Sequence, residues 1–192
     1  MTTILLARHG ETDWNRDGRF QGHADPPLNA AGRRQAVELS AALAREQLAA
    51  VYSSPLRRAV ETAEVIATAH GLEPVPVDAL REVDVGSWQG LTSAEVEKRF
   101  PEQHARWLHY GQGWEDGETY EQMGERVVAA LLDLAAAHDG NRILAVTHGG
   151  PIRAAIAFAD GTSHADARRR GPTIANVYLV EVTVEDSRLS RK

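Results

Sequence analysis

Two aliphatic runs in this chain end in the same dipeptide: ILLAR leads into His9-Gly10, and ILAVT leads into His148-Gly149. Short runs of this kind, bounded by polar residues and glycine, read as buried strands. Strands buried on both faces need helices on both faces, and the rest of the chain supplies them. Asn29 is placed as an N-cap before AAGRRQAVELSAALAREQ, which puts Ala36, Leu39 and Leu43 on one helical face. Ala49 to Ser53 reads as a further strand. Ser54-Pro55 reads as the cap and first residue of a helix that runs to His70 and stops at Gly71. Pro74 to Val77 is a short extended piece, and residues 93–109 read as two helical pieces broken at Pro101.

Thr119 and Gln122 fit a capping box for a helix carrying Met123, Val127, Leu131 and Leu134 to His138. Gly150-Pro151 opens another helix, Ile174 to Val184 alternates as a last edge strand, and the tail EDSRLSRK is expected to fray. Strands alternating with helices define an α/β chain: a three-layer sandwich with a mostly parallel central sheet and helices on both faces. One domain is expected over residues 1–192, with a short insertion at about 92–118.

Composition removes several classes of chemistry. The chain has no cysteine, so a disulfide, a zinc–thiolate site and a thiol nucleophile are excluded. No H-E-x-x-H run or tight Asp/His cluster suggests a metal hydrolase. A net charge of -6 argues against nucleic acid as a partner, and no apolar run reaches the length of a membrane span. The sequence enters a strand pattern at once, so no signal peptide is expected and the cytoplasm is the default location. A homo-oligomer is compatible with all of this. The run Arg168-Arg169-Arg170 reads as a solvated face.

In an open α/β sheet, ligand sites lie beyond the carboxyl ends of the strands, so His9 and His148 are candidates for one crevice. A single histidine at a strand end is more readily a hydrogen-bonded core residue; the second His-Gly brings the two readings into balance. Glycine after each histidine permits close approach of backbone to a ligand. The helix opened by Gly150-Pro151 offers free N–H groups to an anion. Arg58, in the first turn of its helix, suits phosphate oxygens, whereas Arg57 and Arg58 are hard to tell apart in exposure. Glu82 alone reads as a surface carboxylate; beside a phosphate site it becomes a proton donor.

The segments LARHGETDWN, QGHADPPLNAAG, SSPLRRAVETAE, LREVDVGSWQGLT and VTHGGPIRA resemble, in order, the motifs of the histidine phosphatase superfamily, in its branch of phosphoglycerate mutases and broad-specificity phosphatases. The resemblance spans residues 4–154. It implies that His9 is the phosphorylated nucleophile, that Arg8, Arg58 and His148 form the phosphate pocket, and that Glu82 is the general acid and base. It further implies phosphate contacts from Asn15 and the Gly149 N–H, a substrate loop at Gln21 and Gly22, and no metal or cofactor. The substrate would be a small phosphorylated metabolite, with specificity expected in residues 92–118 and Trp88. Two other readings stand beside the phosphatase. A cofactor-dependent mutase of this family carries a longer insertion after the glutamate loop, with an arginine- and proline-rich stretch absent here. A non-catalytic phosphate-binding module would need no such set of residues.

Overall fold

The computed structural model describes residues 1–111, 113–171 and 174–191. Gln112 of the 92–118 insertion and Lys192 of the tail lie outside the described residues. The strands are β1 (Thr2–Arg8), β2 (Leu48–Ser53), β3 (Pro74–Pro76), β4 (Arg142–Thr147), β5 (Leu179–Glu185) and β6 (Arg188–Arg191). The helices are α1 (Asp13–Arg16), α2 (Ala30–Leu43), α3 (Arg57–Ala69), α4 (Ser93–Arg99), α5 (Pro101–Tyr110), α6 (Tyr120–Ala137), α7 (Gly149–Ala159) and α8 (His164–Arg170).

The sheet runs in the order β3-β2-β4-β1-β5-β6. The first four strands are parallel, and β5 and β6 are antiparallel additions. Side chains along β1 alternate between two cores: Leu5 and Ala7 pack with Leu39, Leu43, Ala63 and Ile66, whereas Ile4 and Leu6 pack with Met123, Leu131 and Ile152. Thus α2 and α3 cover one face and α6 and α7 the other, the expected three layers.

Connection geometry places the crevice. The chain leaves β1 toward α2 on one face and leaves the adjacent β4 toward α7 on the opposite face. Neighbouring strands whose exits diverge leave a gap at their carboxyl ends, which is where α/β sheets bind ligands. Arg8 pairs with Thr147 in the parallel register, so His9 and His148 come next to each other. The His9 N–H donates to the Thr147 carbonyl at 3.0 Å, which extends the ladder by one bond into the crevice.

Several local expectations are corrected. Between β1 and α2, where the sequence shows no helical pattern, Thr12 and Asn15 form a capping box over the short α1. The third helix is capped at Leu56 without a side-chain bond, so Ser54-Pro55 precedes it. The Ser54 hydroxyl is drawn instead to His148 Nε2 at 2.8 Å. The last run becomes a strand only from Leu179, because Val177 takes φ +51 and Tyr178 N–H turns back onto Ala175. The tail does not fray. Asp186 and Ser187 turn it into β6, and Leu189 is buried. The arginine run closes α8, which the sequence reading missed. There Arg168 stacks 4.4 Å over the Trp107 ring rather than standing in solvent, while Arg169 pairs with Asp166.

The glycine after His9 serves a packing role. A Cβ on Gly10 would stand 2.4 Å from the Gly32 carbonyl oxygen, and one on Gly32 would stand 2.1 Å from the Glu11 carbonyl oxygen. The loop after β1 therefore rests directly on the first turn of α2. Gly32→Ala should force the two backbones apart and lower stability by about 1–3 kcal/mol, the usual cost of overpacking. It should also reduce turnover by shifting the His9 loop. Urea denaturation and steady-state assay of the variant test both, and an unchanged denaturation midpoint would refute the contact's importance.

Candidate active site

A cavity of about 330 Å³ opens at the carboxyl end of the sheet. Arg8, His9, Asn15, Gln21, Gly22, Arg58, Glu82 and Gly149 all line it. Every sequence-selected residue except His148 therefore reaches one surface. His148 is fully buried just behind, its ring centroid 5.1 Å from that of His9.

His9 sits where β1 ends, and its ring Nδ1 lies 2.7 Å from its neighbour's carbonyl, Gly10 O. That carbonyl can only accept, so Nδ1 carries the proton and Nε2 keeps a free lone pair. Burial, with Arg58 and Arg8 nearby, holds the imidazole well below its ordinary pKa. His148 is likewise held low by burial and then by Arg58. Its Nδ1 accepts from Arg58 Nε at 3.3 Å, which leaves Nε2–H to donate to Ser54 Oγ at 2.8 Å. Both rings are neutral.

Arg58 is the second residue of α3 and is fully buried, whereas Arg57 is exposed and pairs with Glu61. The Arg58 guanidinium also donates to the carbonyls of Ala24 (2.7 Å) and Gly22 (2.9 Å), fixing the loop that carries Gln21 and Gly22. Burial pulls its pKa down to about 10, so it stays charged at neutral pH. Arg8 donates through one amino group to the Ile174 carbonyl at 2.6 Å, while its buried Nε has no partner. An orphaned, buried cationic donor facing a cavity is a site for an anion.

Two amides present donors beside it. The Asn15 carbonyl oxygen accepts from the Thr12 N–H, and the Gln21 carbonyl oxygen from the Thr12 hydroxyl. Each amide is thereby left with its NH₂ group for the cavity. Gly149 is the first residue of α7, where a helix leaves its N–H unpaired and the macrodipole favours an anion.

Glu82 lies in the irregular loop after β3. Its carboxylate accepts from its own neighbour's N–H, Val83, at 3.0 Å, and from Gly150 N–H at 3.3 Å. A Cβ on Gly150 would fall 2.2 Å from Glu82 Oε1. Of the glycines following the histidines, it is Gly150 that allows close approach, and the group approaching is Glu82.

The sequence reading missed the residues that hold Glu82. Arg126 of α6 donates to the carbonyls of Ala79 (2.7 Å), Arg81 (2.9 Å) and Glu82 (3.0 Å), and its other donors grip Glu118 at 2.6 Å. His23 Nε2 makes a 2.8 Å bond to the same Glu82 carbonyl. Arg19, Phe20, Val83, Val85, Tyr120, Arg153 and Ile174 complete the cavity wall. Arg153 lay in plain view, inside VTHGGPIRA and one helical turn past Gly149. No described residue of 92–118 lines the cavity, and Trp88 is only 1% exposed. That segment packs its Trp107 and Trp114 around Trp88 and Phe20, so its aromatic residues close a core rather than a specificity pocket.

Paired strand-end histidines, buried arginines and a helix N-terminus around one cavity define an anion-handling α/β enzyme. The profile of the histidine phosphatase superfamily (branch 1) matches residues 4–192, and the chain belongs to that superfamily. Phosphoserine phosphatase 1 of Hydrogenobacter thermophilus is 37% identical over 156 residues, 80% of this chain and 74% of the relative. The metal-independent phosphoserine phosphatase of Arabidopsis thaliana is 42% identical over 159 residues, 80% of this chain and 67% of the relative. Among solved structures, a mycobacterial glucosyl-3-phosphoglycerate phosphatase complexed with VO3 superposes with a TM-score of 0.89 at 29% identity, covering 99% of this chain and 96% of that one.

The two histidines of the site couple stability to pH. Their folded-state pKa values lie well below the unfolded value near 6.5, so the unfolded chain binds more protons below that pH. Stability should be complete above about pH 6.5 and fall as pH drops, by about 1.4 kcal/mol per pH unit for each histidine. Urea denaturation at pH 7.5 and 5.5 should show the loss, with a shallower slope in His148→Gln; equal slopes would contradict it.

Proposed function

We propose that this protein hydrolyses small phosphomonoesters through a phosphohistidine formed on His9, without a metal or other cofactor. The observation that carries the reading is the His9 ring: its Nδ1 proton is tied to Gly10 O, which aims an unprotonated Nε2 at a cavity walled by arginine. A phosphomonoester dianion repels a nucleophile unless its charge is offset. Arg8, Arg58, the amides of Asn15 and Gln21 and the α7 N-terminus offset it here, with His148 fixing Arg58 from behind.

In the first step His9 Nε2 attacks phosphorus, the P–N bond forms and the ester P–O bond breaks. Glu82, protonated at that moment, gives its proton to the departing oxygen. In the second step a water attacks phosphorus, the P–N bond breaks, and Glu82 takes a proton from the water. The Gly150 N–H and the Arg126 grip on the Glu82 backbone keep the carboxylate in place for both transfers.

The relatives named as phosphoserine and glucosyl-3-phosphoglycerate phosphatases support hydrolysis as the reaction and a small phosphorylated metabolite as substrate. A cytoplasmic location, without nucleic acid or membrane as partner, belongs to the same reading. The net charge of -6 supports the part about nucleic acid; no helix among the described residues is long and apolar enough to cross a membrane.

Turnover should survive EDTA. Among the described residues no group of three His, Asp or Glu side chains stands ready to hold a metal ion. Restoration of a chelator-abolished rate by Mg²⁺ or Zn²⁺ would refute the mechanism. Acid-labile, base-stable phosphate should be trapped on the wild type after a rapid quench and not on His9→Ala. Glu82→Gln should lose far more rate on a sugar phosphate than on p-nitrophenyl phosphate, within the roughly 10²–10⁴-fold of general acid catalysis, because a phenolate leaves without help. Equal losses on both substrates would remove Glu82 from the acid's role.

A further inference from the structure

Four arginines wall the cavity, and three are engaged by the protein. Arg58 is held by two carbonyls and His148. Arg19 donates to the Gly90 carbonyl at 2.7 Å and pairs with Glu95 at 3.1 Å. Arg8 is tied at one amino group to Ile174. Arg153 alone makes no hydrogen bond or ion pair with any described residue, and its Nε is buried. Burial works against its charge, the nearby Glu82 carboxylate offsets only part of that cost, and Arg168 adds to it. A half-buried guanidinium without partners is costly unless a ligand supplies them.

The position defines what that ligand carries. Arg153 is four residues beyond Gly149 on α7, and thus about 6 Å along the helix from the N-terminus where a phosphoryl group would sit. Phe20, Val83, Val85, Tyr120 and Ile174 line the same cavity. A planar fork of N–H donors matches a carboxylate in two parallel hydrogen bonds. We propose that Arg153 is a specificity-determining residue that binds a carboxylate of the substrate. The substrates are then small phosphorylated hydroxy or amino acids, with the carboxylate two or three atoms from the ester oxygen. This rests on the reading of the site as a phosphomonoester hydrolase.

The test compares kcat/KM for 3-phosphoglycerate and glycerol 3-phosphate, which differ by a carboxylate against a hydroxymethyl group. The wild type should favour the carboxylate by about 10- to 100-fold, the range of a hydrogen bond to a charged group. Arg153→Gln should bring the ratio of the two kcat/KM values near one, and Arg153→Lys should keep part of it. No preference in the wild type overturns the proposal, and that measurement needs no variant to fold. Equal loss on both substrates in Arg153→Gln overturns it too, since Arg153 would then serve the phosphoryl group. Failure of the wild type to hydrolyse even p-nitrophenyl phosphate would instead remove the phosphatase reading, and the proposal with it.

Discussion

The parallel pairing of β1 with β4 carries the rest of the site. Each strand hands its chain to a helix on the opposite face, so their carboxyl ends cannot be capped by a common loop. The ladder bond from His9 to Thr147 brings two histidines side by side in that gap. All later features build on this fixed edge: α7 starts at it, α3 sends Arg58 across it, and the Glu82 loop lies over it.

The electrostatic character of the crevice follows from burial. Two imidazoles and two guanidinium groups share a small volume, and the structure keeps the imidazoles neutral while the guanidinium groups stay charged. Hydrogen bonding makes that division workable. Arg58 donates to His148, which a protonated ring could not accept, and the Gly10 carbonyl fixes the tautomer of His9. A dianion entering the cavity meets donors already oriented, so little reorganisation is needed when charge moves in the reaction.

The fold was largely legible because its signals are local. Buried β1 and β4 are continuous aliphatic runs, and the capping box at Thr119 and Gln122 marks the start of α6 directly. The errors arose where a distant partner overrode a local signal. Ser54 looks like a helix cap, but His148 claims its hydroxyl. Residues 174–178 alternate like a strand, yet Asn176 donates to the His9 carbonyl and Arg8 to that of Ile174, so the segment folds over the site as a loop. The residues lining the cavity were found from ordered motifs, since spacing alone could not join His9, Arg58, Glu82 and Gly149. Arg126 and His23 escaped because they act on a backbone carbonyl, and a sequence pattern does not show which carbonyl a side chain will reach.

The grip of Arg126 has a consequence for variation among such chains. The Glu82 loop is anchored from α6, and the covering segment is pinned separately at both ends: Thr92 bridges to Arg19, and Glu118 donates its N–H to Asp84 while holding Arg126. Between these anchors the stretch touches the Glu82 loop through a few residues only: Asp116 accepts from the Ser87 N–H, and Trp107 and Trp114 pack on Trp88. Lengthening a stretch whose ends are fixed costs little conformational entropy, rising only with the logarithm of its length. The exposed sides of α4 and α5, away from those contacts, are thus where a chain of this design can grow or take on new surface while the reacting groups stay in register.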